Sequence, residues 1–263
     1  MALDLEILSP GEIESAARIF YRDGFVIIRD ALSPEQLIIA QRGANRVIAE
    51  QMAQIPLEKG NRGHARYSFG QQVHHPEWAQ LIDNPRILPI LDKIWGSEDY
   101  ICYGAGGDYS APGAKIQPLH ADVRDTLNDP LGQVTIQDLP TPFIVVNYLM
   151  VEFKESNGAT RFVPGTHRTR TPIPSLEQEP ARMKQSVVCA PTGTAIVRDV
   201  RCWHGGTANN SHEIRPMLGF GYFAPWFRDG HLQPALPRGL YNTLSERGKR
   251  LARFIVKESE ESA

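Results

Sequence analysis

The segment QPLHAD, residues 117–122, is the stretch that decides the interpretation of this 263-residue chain. If the segment is a β-strand, alternate side chains point to one face, and His120 and Asp122 then project together roughly 7 Å apart along the backbone. An imidazole and a carboxylate arranged in this way can occupy two neighbouring corners of a metal's coordination sphere. The H-x-D pattern is common by chance, so it predicts a metal site only together with a third ligand.

A candidate third ligand, His204, follows the β-rich stretch 194–197 and precedes two glycines that allow the backbone to turn tightly. Two histidines and one carboxylate form the facial triad of non-haem iron enzymes, which leaves three coordination positions open. Arg215 comes eleven residues after His204, and an antiparallel hairpin would bring it back beside that histidine. Because a guanidinium binds a carboxylate through two parallel hydrogen bonds, Arg215 suits the distal carboxylate of a dicarboxylate ligand.

Four ordered motifs resemble the phytanoyl-CoA dioxygenase family of Fe(II)/2-oxoglutarate-dependent oxygenases, and the resemblance extends along nearly the whole chain. They are the opening YRDGFVIIRDAL at 21–32, the H-x-D pair, the segment NGATRFVPGTH at 157–167, and the distal histidine with its arginine. Within that family, the glutamine before the first ligand, the threonine of the N-G-x-T segment and the W-H-x-G-T turn look most like the branch acting in natural-product biosynthesis.

The resemblance implies a double-stranded β-helix in which three residues hold Fe(II), namely His120, Asp122 and His204. It implies that Arg215 holds the C5 carboxylate of 2-oxoglutarate and that Gln117 and Thr160 make further contacts with this co-substrate. Dioxygen would be the oxidant, with 2-oxoglutarate converted to succinate and CO2. The expected reaction is oxidation, most simply hydroxylation, of an unactivated C–H bond in a small or medium-sized metabolite.

The carboxylate at Asp122 bears on the type of reaction. Related halogenases have Ala or Gly at this position, which leaves a site for chloride, so a carboxylate there argues for oxygenation. Desaturation, epoxidation, ring expansion and endoperoxide formation stay open as outcomes.

Three other functions could use part of the same sequence pattern. A zinc-dependent hydrolase would use the same two histidines and aspartate with an activated water, but it gives Arg215 and the N-G-x-T segment no task. A nucleic-acid or protein demethylase would share the iron chemistry, and the absence of a basic stripe counts against the nucleic-acid version. A binding module without catalysis would not need all three ligands.

The composition is that of a globular protein with a small-molecule substrate. A formal net charge of −2 without blocks of like charge gives no electrostatic footprint for nucleic acid or an anionic membrane surface. No apolar run approaches the length of a membrane span, and no secretory signal is evident, so a cytoplasmic location is expected. The three cysteines have no spacing for a disulfide framework or a zinc site. The oligomeric state is open, a homodimer being one arrangement.

The hydrophobic pattern predicts a mainly β domain with helical additions, a jelly roll packed against N-terminal helices. Helix-start signals stand at Ser9 and Ser33, each followed by proline, and a third helix is expected over 85–95. Strands are expected at 25–28, 100–104, 115–124, 143–153, 160–164, 186–190, 194–199 and 215–224. We expect one domain over 1–263, with helical support at 1–96, a β-helix core at 97–225 and a C-terminal extension at 226–263.

Overall fold

The computed structural model describes residues 5–125, 127–230 and 232–258. The helices are α1 (Ile13–Asp23), α2 (Pro34–Gln54), α3 (Pro76–Ala79), α4 (Leu88–Trp95), α5 (Ala181–Lys184), α6 (Arg238–Thr243) and α7 (Glu246–Ala252). The strands are β1 (Ile7–Leu8), β2 (Phe25–Ile28), β3 (Arg66–Ser68), β4 (Ile101–Ser110), β5 (Phe143–Leu149), β6 (Thr160–Phe162), β7 (Ala195–Asp199), β8 (His204–Gly206), β9 (Arg215–Phe223), β10 (Leu236–Pro237) and β11 (Val256–Lys257).

Seven strands of this described chain form the main sheet, in the order β1-β2-β7-β5-β9-β4-β3. All neighbours except β1 and β2 are antiparallel. The strand β5 shows how the sheet divides the molecule, because its alternate residues face opposite sides. Ile144, Val146 and Tyr148 pack into the core that the sheet shares with α1, α2 and α4, whereas Val145 and Asn147 line a cavity.

The local signals for α2 are the strongest in the helical part. Ser33 accepts a hydrogen bond from the backbone N–H of Gln36, whose side chain in turn accepts from the backbone N–H of Ser33, and Pro34 opens the helix. The predicted cap at Ser9 is wrong: the Glu12 carboxylate accepts from both the backbone and the hydroxyl of Ser9, which makes a turn, and α1 begins only at Ile13.

A smaller sheet, β6 paired with β8, faces the cavity opposite the main sheet. Two segments expected to be strands run beside it without becoming regular strands. Residues 115–124 make only one bridge, between His120 and His204. Pro118 has no N–H to donate, and the backbone hydrogen bonds that the residues on either side of it make to the neighbouring segment are unevenly spaced. Residues 186–190 likewise make isolated bridges, Val187 with Arg161 and Ala190 with Phe153.

The mixed sheet with its helical layer confirms the predicted jelly-roll class. The division of the chain into segments that end at residues 96 and 225 stays a prediction. Residues 1–4 of the first segment and 259–263 of the last lie outside the described residues. Strands β1, β2 and β3 of the first segment belong to the main sheet. In the described part of the chain, no helix combines the length and apolar character needed to span a membrane.

Candidate active site

His120, Asp122 and His204 meet at one point on the cavity wall. Their ligand atoms all lie within 4.8 Å of one another. The Oδ1 atom of Asp122 is 3.8 Å from Nε2 of His120 and 3.6 Å from Nε2 of His204. His204 is on β8, and the backbone N–H groups of His120 and His204 each donate to the other residue's carbonyl at 2.9 and 3.0 Å. The bridge between these two residues therefore brings the H-x-D segment and the distal histidine together.

The two histidines are oriented by backbone carbonyls. Nδ1 of His204 lies 3.0 Å from the carbonyl of Cys202, and Nδ1 of His120 lies 3.3 Å from that of Pro118. A proton on Nδ1 satisfies these carbonyls and leaves the Nε2 lone pair free, which is the arrangement of metal-binding histidines. Phe162 stacks against the His204 ring at 5.6 Å between centroids and restricts its rotation.

The charges at the three residues suit a divalent cation. Burial, together with the positive charge of Arg198, lowers the pKa of His204 to about 3, so its imidazole is neutral at physiological pH. Burial opposes the charge of Asp122, but the charge of Arg198 and its hydrogen bond outweigh this and hold the pKa of that carboxyl below its ordinary value. The neutral imidazole of His204 and the ionised carboxylate of Asp122 therefore face the cavity.

Arg215, the predicted carboxylate clamp, is buried at the start of β9 with 1% of its surface exposed. Its Nε donates to the carbonyl of Gly158 at 3.1 Å, its guanidinium lies 4.8 Å from the centre of the Phe153 ring, and its Nη1 is 3.3 Å from Oδ1 of Asp108. Burial lowers the pKa of Arg215, and the Asp108 carboxylate opposes this shift. The Arg215 guanidinium is thus held by the Gly158 carbonyl on one side and faces the Asp108 carboxylate on the other.

A second buried arginine, Arg66 on β3, lines the same cavity and was missed by the sequence analysis. Its side chain donates to the carbonyls of Lys115 and Thr207. Burial, and then the charge of Arg215, lower the pKa of Arg66 to about 10. Position 206 is glycine because a Cβ there would collide with the Arg66 guanidinium. The second glycine after His204 therefore makes room for Arg66, whereas the sequence alone predicts only a turn at this pair.

Gln117 and Thr160 lie in the same cavity, where the resemblance expected them. The side-chain oxygen of Gln117 accepts from the backbone N–H of Gly206 at 3.0 Å, which leaves its amide nitrogen for another partner. Thr160 is buried on β6, two residues after Gly158, the residue that holds Arg215. Both side chains border the pocket in which Arg215 and the triad are found.

The hairpin that was expected to join His204 to Arg215 is absent from the described chain. β8 pairs with β6 in the small sheet, whereas β9 pairs with β4 and β5 in the main sheet. The two residues nevertheless border one cavity because the sheets face each other across it. The spacing of eleven residues is therefore a crossover between sheets.

The cavity has a volume of about 710 Å³ and a polar lining with one aromatic wall. A β-bulge between Cys102 and Gly104 turns Tyr103 towards the cavity, an effect that bulges often have beside active sites. The Tyr103 ring stacks on Phe223 at 4.3 Å between centroids and meets Phe143 edge to face. This aromatic wall is a candidate surface for a second small molecule.

Comparisons with known proteins agree with this geometry. The chain matches the family model described as "Phytanoyl-CoA dioxygenase (PhyH)" over residues 20–217. It is 23% identical over 256 residues to "Dioxygenase trt7" of Aspergillus terreus (strain NIH 2624 / FGSC A1156), which covers 94% of this chain and 85% of that relative.

Two solved structures share the fold. The crystal structure of EctD from S. alaskensis with bound Fe superposes with a TM-score of 0.63 at 19% identity, covering 95% of this chain and 88% of that one. The epimerase SnoN, in complex with Fe3+, alpha ketoglutarate and nogalamycin RO, gives a TM-score of 0.62 at 17% identity, with coverage of 81% and 84%. Since the family model spans more than half of the chain, this protein belongs to the phytanoyl-CoA dioxygenase family and is an Fe(II)- and 2-oxoglutarate-dependent dioxygenase.

Proposed function

We propose that His120, Asp122 and His204 hold Fe(II), that Arg215 anchors 2-oxoglutarate, and that the enzyme hydroxylates an unactivated C–H bond of a small or medium-sized metabolite. One observation carries the proposal: the three ligand atoms converge on the wall of a cavity that is also lined by the buried arginines Arg66 and Arg215. A zinc hydrolase needs the first feature but has no use for the second, whereas a dicarboxylate co-substrate needs both.

The donor set fits iron. Two imidazole nitrogens and one carboxylate oxygen are the ligands of non-haem Fe(II) oxygenases, and this set leaves positions for co-substrate and dioxygen. The carbonyls of Cys202 and Pro118 orient the two rings, which keeps the donor atoms in place before a metal arrives. When bound, the iron supplies the oxidising chemistry that protein side chains lack, at the expense of dioxygen and 2-oxoglutarate.

The arginines would position the co-substrate. Arg215 and Arg66 place two cationic groups in a buried site, where a charge-assisted hydrogen bond to a carboxylate is stronger than in water. We assign the C5 carboxylate of 2-oxoglutarate to Arg215, with Arg66 as a second partner. Thr160 from the small sheet and Gln117 from the segment beside it supply further polar contacts. Together these groups orient the keto acid towards the triad and exclude water from its distal end.

The remaining cavity, with its aromatic wall at Tyr103 and Phe143, is assigned to the primary substrate. The similar structure SnoN is described as coming from nogalamycin biosynthesis, and its complex contains nogalamycin RO. This supports a role for the present chain in secondary-metabolite biosynthesis. We also propose that the chain is a single catalytic domain and that it works as a homodimer.

The test is an anaerobic titration of the metal-free protein with Fe(II) and then 2-oxoglutarate. A keto acid bound to Fe(II) through both its carboxylate and its keto oxygen gives a weak visible charge-transfer band. We expect this band in the wild type, no band in His204→Ala, and a much higher 2-oxoglutarate requirement in Arg215→Ala. When air is admitted, the enzyme should release succinate. Candidate substrates can then be screened by whether they increase succinate release above the level without substrate.

The competing hydrolase makes the opposite prediction. If the wild type showed no band, bound zinc stoichiometrically and cleaved an ester or amide, the proposed role of the triad would be wrong. If the band persisted unchanged in Arg215→Ala, the proposal that the triad holds iron would stand. The assignment of Arg215 to the C5 carboxylate of 2-oxoglutarate would then be wrong.

A further inference from the structure

Arg198 on β7 contacts a triad residue and was not singled out by the sequence. It is 6% exposed and lies in the centre of the main sheet, where it pairs with Phe25 of β2 on one side and Val145 of β5 on the other. Its Nη2 donates to Oδ2 of Asp122 at 2.7 Å, and its Nε donates to Oδ1 of Asn147 at 3.0 Å. The guanidinium is therefore fixed at two points on a strand that cannot easily move.

The two oxygens of Asp122 have different surroundings. Oδ1 is the atom that approaches Nε2 of both histidines, at 3.8 and 3.6 Å. Oδ2 is the atom that accepts the hydrogen bond from Arg198. Only one oxygen of the carboxylate thus shares the space between the histidines, while the other is tied to the sheet behind it.

We propose that Arg198 is a positioning residue that makes Asp122 a one-oxygen ligand by holding Oδ2 away from the metal. This rests on the proposed function, because it concerns the iron that the triad would hold. Three donor atoms leave three positions of a six-coordinate ion, of which the keto acid needs two and dioxygen one. A carboxylate that bound through both oxygens would occupy one of these three and compete with the co-substrate.

The chemistry of the side chain suits this task. A guanidinium is a rigid planar fork, so fixing its Nε on Asn147 also fixes the direction in which Nη2 points. Nη1 is buried and has no hydrogen-bond partner within the described residues, so the orientation is set by the other two nitrogens. Its positive charge also offsets the cost of placing the Asp122 carboxylate in the cavity wall.

The experiment compares Arg198→Met with the wild type by the same anaerobic Fe(II) and 2-oxoglutarate titration. We expect Arg198→Met still to bind one Fe(II) per chain, because all three ligands remain. Its dissociation constant for 2-oxoglutarate should rise by about ten- to a hundredfold, the range by which removal of partners outside the ligand set weakens metal binding or activity in metal sites generally. Arg198→Lys, which can still donate one bond to Oδ2, should recover most of the affinity and of the charge-transfer band.

A matched control is Arg201→Met. Arg201 is equally buried and is paired with Asp199, but none of its contacts reaches the triad. This variant should leave the 2-oxoglutarate affinity unchanged, which separates loss of a buried ion pair from loss of the contact with Asp122. If wild type and Arg198→Met had the same 2-oxoglutarate affinity and the same charge-transfer band, the inference about Arg198 would be overturned, while the proposed function would stand. The same conclusion would follow if Arg198→Lys folded but bound 2-oxoglutarate as weakly as Arg198→Met.

A measurement on the wild type covers the case in which Arg198→Met does not fold. The protein is labelled with 13C-aspartate, and the infrared spectrum of the metal-free form is subtracted from that of the Fe(II)-loaded form. The difference spectrum reports how the Asp122 carboxylate binds the metal. A one-oxygen ligand gives a wide separation between the antisymmetric and symmetric stretches, and a narrow separation would overturn the inference. Failure of the wild type to bind Fe(II) and 2-oxoglutarate would be a different result, because it would overturn the proposed function as well.

Discussion

At the scale of single residues, the pocket proposed for the co-substrate contains charges of both signs. Arg66 and Arg215 are both buried, and Asp108 is the carboxylate that faces them, 3.3 Å from Nη1 of Arg215. Asp108 keeps 44% of its side-chain surface exposed to the cavity. It therefore occupies part of the space where an incoming dicarboxylate would meet Arg215, and it is a competitor for the same guanidinium.

Asp108→Asn should bind 2-oxoglutarate more tightly than the wild type. The substitution keeps the size of the side chain but removes its charge, so Arg215 no longer has a competing anion. An effect of a few-fold to tenfold is expected from the usual value of a charge-assisted hydrogen bond, about 1.5–3 kcal/mol, less what the amide oxygen retains. The anaerobic 2-oxoglutarate titration measures it, with Asp99→Asn, a remote surface carboxylate paired with Arg253, as control. Weaker binding by Asp108→Asn would show instead that Asp108 supports the co-substrate.

His167 provides a pH prediction outside the proposed ligand set. Its side chain is buried, with Gly24 packed directly against the ring, and burial lowers its pKa below the ordinary value of 6.5. The unfolded chain then binds a proton that the folded chain does not, so the stabilisation is complete above pH 6.5 and is lost as pH falls below it. The free energy of unfolding of metal-free wild type should therefore fall more steeply from pH 7 to pH 5 than that of His167→Phe. The prediction would be contradicted if the free energy of unfolding, measured with denaturant, changed with pH in the same way in both proteins.

Residues of the site differed in how far they could be predicted. The triad and Arg215 stood in ordered motifs with telling neighbours, and the structure brings all four to one cavity. Arg66 and Arg198 carried no such signal, since each is a single arginine whose partners lie far away in sequence. Arg198 meets Asp122 only because β7 and the H-x-D segment border the same cavity, a fact of tertiary structure.

At the scale of elements, the loop between β6 and β7 is fastened to the site by one buried ion pair. Glu179 of this loop pairs with Arg161 of β6, and both side chains are completely buried. Glu179 also accepts from the backbone N–H of Leu119, the residue before His120, at 3.3 Å. Arg161 in turn donates to the carbonyl of Gln117 at 2.7 Å. The pair therefore holds the H-x-D segment against the small sheet.

Glu179→Gln should destabilise the protein strongly, because it leaves the Arg161 charge buried without its counter-ion. Removal of one partner of a buried pair typically costs about 3–5 kcal/mol. Urea unfolding of the metal-free protein measures the loss. Asp138→Asn is the matched control, since it breaks the exposed pair that Arg170 of the same loop makes and should cost far less. The double variant Arg161→Met, Glu179→Leu should recover part of the stability, and a Glu179→Gln protein as stable as the control would refute the role of the pair.

Elements were predictable where a single local rule decides them. β2 and α2 agree with their apolar pattern and cap. Residues 115–124 were not, since apolar alternation predicted a strand while Pro118 and the uneven bonding prevent one. The spacing from His204 to Arg215 suggested a hairpin because sequence distance alone cannot tell a turn within one sheet from a crossover between two.

At the scale of the whole molecule, the site takes its residues from both sheets. His204 and Thr160 come from the small sheet, and Arg215 and Asn147 from the main sheet. A metal would bind mainly groups beside the small sheet, whereas a keto acid that reaches Arg215 would connect that side to the main sheet. Ligands that bind only the folded state raise its stability by mass action.

Stepwise stabilisation by metal and then 2-oxoglutarate should therefore be visible in thermal unfolding, with Mn(II) replacing Fe(II) to prevent oxidation. A ligand at a hundred times its dissociation constant adds about 2.7 kcal/mol, and for a chain of this size roughly 2–4 °C per kcal/mol is expected. His204→Ala should lose both steps. Arg215→Ala should keep the metal step and lose the second, because it removes the proposed contact with the keto acid and leaves all three metal ligands in place. A full 2-oxoglutarate step in Arg215→Ala would mean that the keto acid does not reach the main sheet.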